Sequence, residues 1–164
     1  MVVAAGGLVR ASDVTDLFVR KTATESVTSS ATLQDDDQLT LAVVANTVYT
    51  LLGLILYDGG TTGDFKFAFV IPASATLDYA AQIPPTAATT AAGNTVNNSA
   101  FTDADTLGLG AVGAGTTLAV PIMGLLVVAG TAGTFKLQWA QNTSNATATR
   151  VFGDSFLRLT PVPS

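Results

Sequence analysis

Apolar and polar residues alternate along several short stretches of the chain, with the period of two that a β-strand with one buried face requires. Leucine and valine alternate with polar or small residues in QLTLAV (residues 38–43), and phenylalanine alternates with lysine or alanine in FKFAF (residues 65–69). The pattern returns in FKLQW (residues 135–139) and FLRL (residues 156–159). Gly, Asp, Asn and Ser separate these stretches, and no segment carries the apolar stripe of a helix. The pattern predicts an all-β chain that folds as an antiparallel β-sandwich.

The segment VYTLLGLILY (residues 48–57) is apolar at nearly every position instead of at every second one. A strand of this kind has two faces that avoid water, so both faces need cover. We expect the opposite sheet to cover one face, and a loop or another subunit to cover the other.

A repeat relates two parts of the chain at a constant offset of seventy residues. GTTGDFKFAF (residues 60–69) aligns with GTAGTFKLQW (residues 130–139), and the apolar segments before them, GLILYDG and GLLVVAG, match with one residue of slippage. Each copy contains an apolar strand, a Gly-rich turn and an aromatic strand, which predicts two β-hairpins, one in each half of a sandwich. Chance similarity between two Gly-Thr turns is the alternative.

Two regions depart from the strand pattern. Residues 1–32 are rich in small and hydroxylated side chains around one apolar cluster, LFV (residues 17–19), and they predict an extended N-terminal arm. Residues 33–164 then form the β-sandwich domain. Residues 80–106, rich in Ala, Thr, Asn and Pro, predict a long loop of the kind that makes a contact or covers a neighbour.

Composition restricts the function more than the fold. Charged residues make up 12% of the chain, about half the usual share, and the net charge is −5. An acidic chain lacks the basic surface that nucleic acids require, so no nucleic-acid partner is expected. The chain contains neither His nor Cys, which removes the usual general base, the commonest metal ligand and every thiol nucleophile. We expect no enzymatic activity, no cofactor and no metal.

A mean hydropathy of +0.46 raises the question of a membrane span. Residues 106–135 are uncharged, but glycines interrupt them and their dense apolar part, residues 118–129, is too short to cross a bilayer as a helix. We interpret the segment as two buried strands with their turns. The N-terminus has no basic residue before Arg10 and does not resemble a secretory signal. No membrane partner is expected.

Asp35, Asp36 and Asp37 form the densest group of carboxylates. Adjacent residues of an extended chain point to opposite faces, so these three do not converge on one ion as the ligands of a calcium loop do. We interpret them as a solvated turn before the strand at Leu39. A weak surface site for Ca²⁺ or Mg²⁺ is the alternative.

Other candidate groups have structural interpretations that we favour. Glu25 is the sole Glu of the chain, and a paired-carboxylate hydrolase would need a second acid at a defined distance from it. Lys66 and Lys136 are the bases that an activated serine would need in place of His, yet both fall on strand faces where solvated lysines are expected. Trp139 could bind a ligand, but its alternation with its neighbours favours packing in the core or at a subunit interface.

Three long stretches of the chain resemble one protein family. They are RKTATESVTSSATLQDDDQLTLAVVANTVYTLLGLILYDG (residues 20–59), TTGDFKFAFVIPASATL (residues 61–77) and GTFKLQWAQNTSNATATRVFGDSFLRLTPV (residues 133–162). Together they resemble small virion structural proteins of tailed bacteriophages that infect actinobacteria. The strand pattern also resembles the jelly-roll heads of the tumour necrosis factor and complement type, which assemble as trimers. These resemblances imply a jelly-roll-like sandwich that forms a homotrimer.

The first resemblance implies a capsid decoration or cementing protein, without enzymatic activity, that lies on the capsid exterior, binds the major capsid protein and stabilises the shell. The low share of charged residues agrees with an oligomer, because a monomer of this composition would expose apolar area that normally marks an interface. For docking of the arm on the capsid we expect apolar anchors at Leu17, Phe18 and Val19. We expect Arg20 and Lys21 to meet acidic capsid surface.

Two other functions compete with capsid decoration. A tail or fibre protein would bind a host cell-surface glycan through residues 80–106 or the tips of the sandwich, and would carry clustered exposed aromatic side chains. The aromatic residues in or beside that loop are Tyr79 and Phe101. An acid-dependent glycan hydrolase would require convergent carboxylates, which the sequence does not locate.

Overall fold

The computed structural model describes residues 15–86 and 99–162 of the chain. Its regular elements are all β-strands, so the prediction of an all-β chain is confirmed. The strands, in chain order, are β1 (Leu17–Arg20), β2 (Glu25–Val27), β3 (Gln34–Val43), β4 (Thr47–Asp58), β5 (Phe65–Val70), β6 (Thr76–Ala81), β7 (Ala100–Thr102), β8 (Leu107–Leu109), β9 (Leu118–Val128), β10 (Gly133–Ala140), β11 (Thr149–Val151) and β12 (Phe156–Pro161).

The strands form two antiparallel sheets. The larger sheet has eight strands, with β1-β12-β4-β9-β6-β7 in order and with β2 and β11 continuing it along the end of β4. The smaller sheet has the order β3-β10-β5-β8. Paired strands nest along the chain: β5 pairs with β8, β4 with β9, β3 with β10 and β1 with β12. Nested antiparallel pairs divided between two sheets form a jelly roll, so the predicted jelly-roll-like sandwich is confirmed.

Large aromatic side chains join the two sheets across the core. Tyr57 of the larger sheet stacks on Phe65 of the smaller one, with 4.6 Å between ring centroids. Tyr79 of the larger sheet contacts Phe69 edge-on at 5.3 Å. Such ring pairs contribute about 0.5–1.5 kcal/mol each beyond the area that they bury. The alternation of β5 therefore determines which side chains hold the sheets together.

The seventy-residue repeat is present in the fold, but the prediction that its copies are hairpins is wrong. β4 belongs to the larger sheet and β5 to the smaller, and β9 and β10 are divided in the same way. Each copy crosses between the sheets at its Gly-rich turn, because residues 59–64 are long enough to span the roughly 10 Å between packed sheets. β4 pairs antiparallel with β9, and β5 with β10.

Residues 15–32 belong to the segment predicted as an arm, and the structure places them on the sandwich. β1 pairs with β12, and β2 pairs with β11. Leu17 and Val19 pack against the core. Strands therefore lie on both sides of the predicted boundary at residue 32. Residues 1–14 of the predicted arm lie outside the described residues.

The long loop predicted over residues 80–106 contains parts of two strands. β6 ends at Ala81, and β7 pairs with β6 so that Tyr79 lies opposite Phe101. Residues 87–98 lie outside the described residues. Residues 106–135 contain β8, β9 and the start of β10, which confirms strands and turns in this segment. The prediction of two buried strands is wrong in detail, because three strands contribute and β9 exposes Met123 and Leu125. Within the described ranges, no helix has the length and apolar character needed to cross a membrane.

Polar contacts hold the turn that follows β4. Asp64 has a left-handed backbone with φ of 53°, and its carboxylate accepts a hydrogen bond of 2.8 Å from the Ala111 amide. Thr149 donates its hydroxyl to the Asp64 carbonyl at 2.9 Å, and the Tyr57 hydroxyl donates to the Gly110 carbonyl at 2.6 Å. Burial raises the pKa of the Asp64 carboxyl above its ordinary value, and the Ala111 amide offsets part of that rise.

We expect Gly124→Ala to destabilise the protein by about 1–3 kcal/mol, the usual cost of overpacking. A Cβ atom at Gly124 would lie 2.4 Å from the Asp78 carbonyl oxygen and 2.6 Å from the Tyr79 Cβ atom, so β6 would have to move away from β9. Gly130→Ala is the matched control, because nothing lies within 4 Å of its Cβ position. Urea unfolding of both variants measures the effect, and equal free energies of unfolding would contradict this account of Gly124.

We expect Asp64→Asn to reduce the change in stability between pH 4 and pH 7. A raised pKa in the folded state means that the folded protein holds this proton more tightly than the unfolded chain does. The folded protein therefore loses stability as the pH rises from 3.8, the ordinary pKa of an aspartate, through the raised pKa of Asp64. Asn tolerates the left-handed backbone and still offers an oxygen to the Ala111 amide. Urea unfolding at several pH values measures the slope, and an unchanged slope in the variant would contradict the prediction.

Candidate interaction surface

Exposed apolar side chains collect on the outer face of the larger sheet. The strand β9 is apolar on both sides: Ile122 and Leu126 point into the core, whereas Met123 and Leu125 point outward. Among the described residues, the large apolar side chains that are exposed all lie on this face except Val44. We call this set the apolar outer face, and its members are Phe18, Leu52, Met123, Leu125, Val127 and Val162.

The register of the strands makes the apolar outer face continuous across β4 and β9, whereas Arg158 on β12 lies between this part and Phe18. Leu52 lies opposite Met123 on β9 and opposite Arg158 on β12. Arg158 in turn lies opposite Phe18 on β1. Directly opposed residues of antiparallel strands have Cβ atoms about 4.5–5.5 Å apart, so these side chains are in reach of one another. Beside them, Leu125 lies opposite Thr50.

The prediction that residues 48–57 need cover on two faces is confirmed for the inner face, where the opposite sheet buries Leu51 and Ile55. On the outer face, Leu52 and its neighbours on β9 remain exposed among the described residues. A contiguous exposed apolar patch on a soluble domain is typical of a protein–protein interface. Cover for the outer face by another subunit stays a prediction.

Charged side chains border the part of the apolar outer face on β4 and β9 at both edges. At the β1 and β12 edge, Arg158 pairs with Asp16, and Arg20 pairs with Asp154. A hydrogen bond from Thr160, together with the guanidinium of Arg158, holds the pKa of Asp16 below its ordinary value. At the opposite edge, β6 presents the exposed Asp78 next to Leu125. An apolar centre with a charged rim is the usual composition of an interface.

The residues predicted to dock on a capsid have different environments. Leu17 and Val19 pack against the core, while Phe18 is 58% exposed and belongs to the apolar outer face. Arg20 is exposed and paired with Asp154. Lys21 is 1% exposed and does not present its charge at the surface, because two carboxylates hold it inside. Of this set, Phe18 and Arg20 are the side chains that can reach a partner.

Lys21 belongs to a buried polar cluster between the two sheets. Its ammonium group donates to Asp36 Oδ2 at 2.8 Å and to Glu25 Oε2 at 2.8 Å. The Trp139 indole donates to Asp36 Oδ2 at 3.1 Å. The sequence contained one indication of this cluster, because alternation along a strand places the Asp36 side chain on the face opposite to those of Asp35 and Asp37.

The interpretation of Asp35, Asp36 and Asp37 as a solvated turn is wrong, because all three lie in β3. Asp36 is buried, whereas Asp35 is exposed and pairs with Lys136. Hydrogen bonds from Lys136 and then Gln138 hold the pKa of Asp35 below its ordinary value. Opposite sides of a strand separate these carboxylates, and no cluster of potential metal ligands was found among residues 15–86 and 99–162.

Trp139 packs in the core with its side chain fully buried, which confirms the preference for packing over ligand binding. Its indole contacts Phe65 at 6.0 Å between ring centroids. Lys66 and Lys136 lie on β5 and β10 with partly exposed side chains, as predicted for strand lysines. Glu25, expected in an exposed segment, is mostly buried and contacts Lys21.

No protein-family model matches this chain, and no curated protein matches it. A chain in the structure of infectious bursal disease virus, Gt strain, is similar to it with 12% sequence identity and a TM-score of 0.24. The alignment covers 92% of this chain and 41% of that chain, so this chain spans about two fifths of the length of its neighbour. A TM-score this low assigns neither a family nor a function.

We expect Met123→Glu to weaken self-association at least about tenfold, because the new charge would lose its hydration when the apolar outer face is covered. Val44→Glu is the matched control, since Val44 and Met123 are both 62% exposed but Val44 lies off this face. Sedimentation equilibrium of both variants against the wild type measures the effect. Equal effects of the two substitutions, or none from Met123→Glu, would contradict a role for this face in association.

Proposed function

We propose that this chain is a non-enzymatic structural protein of a virion that binds the outer capsid surface as a homotrimer and stabilises the shell. The observation that carries the proposal is the apolar outer face, which gathers Leu52, Met123 and Leu125 on adjacent strands. Closed assembly of identical chains is the commonest way in which soluble proteins cover such a surface. The resemblance of residues 20–162 to phage virion proteins supports a place on the particle, and the resemblance to trimeric jelly rolls supports three copies.

Stabilisation of the shell follows from where such a trimer binds. A trimer that contacts several capsid subunits at once binds the assembled lattice and not the separated subunits. By mass action, each bound trimer then shifts the equilibrium towards the intact shell. This requires no catalysis, which agrees with a chain that contains neither His nor Cys.

Docking on the major capsid protein is assigned to the N-terminal side of the chain. Phe18 and Arg20 are the members of the expected docking set whose side chains are exposed, and they lie at the β1 edge of the larger sheet. Residues 1–14 precede this edge in the sequence. Arg158 separates Phe18 from the β4 and β9 part of the apolar outer face, so a trimer that covers that part leaves Phe18 available. We propose that residues 1–14 and the exposed β1 side chains together contact the capsid.

We expect the purified protein to have a native mass near three times 16.6 kDa and to sediment with undecorated shells of the virus that encodes it. Native mass spectrometry measures the first property, and co-sedimentation measures the second. Deletion of residues 1–14 should abolish sedimentation with the shells and leave the trimer intact, because this deletion retains β1.

Each other outcome changes the assignment. A trimer that ignores the shells but binds host cell walls would favour the tail or fibre alternative, with a surface glycan as ligand. A trimer that binds neither would contradict the virion role. A monomer at all concentrations would contradict both assembly through the apolar outer face and decoration by a trimer.

A further inference from the structure

The buried cluster around Lys21 has an arrangement that a simple ion pair does not need. The side chain of Lys21 is 1% exposed, that of Asp36 is 0% exposed and that of Glu25 is 13% exposed. One amine and two carboxylates therefore lie out of water, with the amine between the two acids at 2.8 Å from each. Removing an ion pair from water costs several kcal/mol per ion, and an uncharged amide in its place would not carry this cost.

The backbone fixes both reacting side chains. Lys21 follows β1 in the larger sheet, where its amide donates to the Ser155 carbonyl at 2.7 Å and its carbonyl accepts from the Asp154 amide at 2.8 Å. Asp36 lies in β3 of the smaller sheet. The register between β3 and β10 shifts next to it, at a bulge between Lys136 and Gln138 of β10. Reactants held in this way react faster, as in an intramolecular reaction, because folding has already removed the freedom that they would otherwise lose on meeting.

The hydrogen bonds of Asp36 distinguish its two carboxylate oxygens. Oδ1 accepts hydrogen bonds from the backbone amides of Gln38 at 2.9 Å and Leu39 at 2.8 Å. Two such donors form an oxyanion hole, which stabilises the negative charge of a tetrahedral intermediate. Oδ2 accepts from Lys21 Nζ and from the Trp139 indole. Oδ1 is thus placed as the oxyanion and Oδ2 as the leaving oxygen.

Glu25 is placed to move the proton. Its Oε2 atom accepts from Lys21 Nζ, and the Asp37 amide at 3.2 Å and the Gln34 side-chain amide at 2.8 Å fix the orientation of its carboxylate. A positioned carboxylate of this kind acts as a general base towards the amine and then as a general acid towards the leaving oxygen.

We propose that Lys21 and Asp36 condense in the folded protein to an intramolecular isopeptide bond, with Glu25 as the catalytic residue that transfers the proton. A proton passes from the Lys21 ammonium to the Asp36 carboxylate, which gives a neutral amine and a neutral acid. The Nζ lone pair then attacks Cγ of Asp36, and the electrons of the C–O π bond move to Oδ1. Glu25 takes a proton from Nζ and returns it to Oδ2, and Oδ2 leaves as water.

The products are one amide bond and one water molecule, so the step needs no oxidant, reductant or further reactant. The bond would join the residue after β1 to β3 and thereby link the two sheets covalently. A chain without cysteines has no disulfide for this purpose. The bond would form within one chain, whether or not the chain belongs to a virion.

The test is the intact mass of the purified wild-type protein, measured under denaturing conditions. We expect a mass lower than the sequence mass by one water molecule. Trypsin should not cleave after Lys21, because its side chain is acylated, and the fragment of residues 21–66 should carry the missing water. The full sequence mass, together with cleavage after Lys21, would overturn the proposal.

Three variants separate the bond from other sources of dehydration. Lys21→Arg keeps the positive charge but should show its full sequence mass, and water lost from this variant would contradict the assignment. Asp36→Asn should lose ammonia instead of water and reach the same final mass as the wild type.

Glu25→Gln should retain the fold but form the bond about a hundredfold more slowly, measured by following intact mass after cell-free synthesis. A wild-type rate in Glu25→Gln would overturn the role of Glu25.

Discussion

The pairing of β4 with β9 is the contact on which the rest of the structure depends. It joins Thr47–Tyr57 to Leu118–Val128 without a register shift and forms the centre of the larger sheet. Both strands carry apolar side chains on both faces, so burial of one face in the core leaves the other apolar and exposed. The same two strands therefore supply both the centre of the core and the centre of the apolar outer face.

The smaller sheet follows from this central pair. Each central strand crosses to the smaller sheet through a Gly-rich turn, and the aromatic strands β5 and β10 meet each other there. Their large inward side chains cover the inner face of β4 and β9, which explains why the repeat contributes one strand to each sheet. A hairpin of β4 with β5 would have left the inner face of the central pair without this cover.

Buried ion pairs lie at separate places in the sandwich. Asp58 pairs with Arg150 within the larger sheet, and the cluster of Lys21, Asp36 and Glu25 joins the two sheets near β1. An unpaired buried charge costs several kcal/mol, so each of these groups needs its partner to be held in place by the fold. The same confinement that makes an ion pair specific also brings an amine and a carboxyl group into reaction distance.

The sequence by itself determined the all-β class and the strands at residues 38–43, 48–57, 65–69, 135–139 and 156–159. These features depend on the alternation of neighbouring side chains, which is a local property. Only the tertiary structure decided the crossing of each repeat between sheets, the place of β1 in the larger sheet and the meeting of Lys21 with Asp36 and Trp139. These features depend on which distant strands pair and in which register, and a short pattern carries no record of that choice because many pairings satisfy the same alternation.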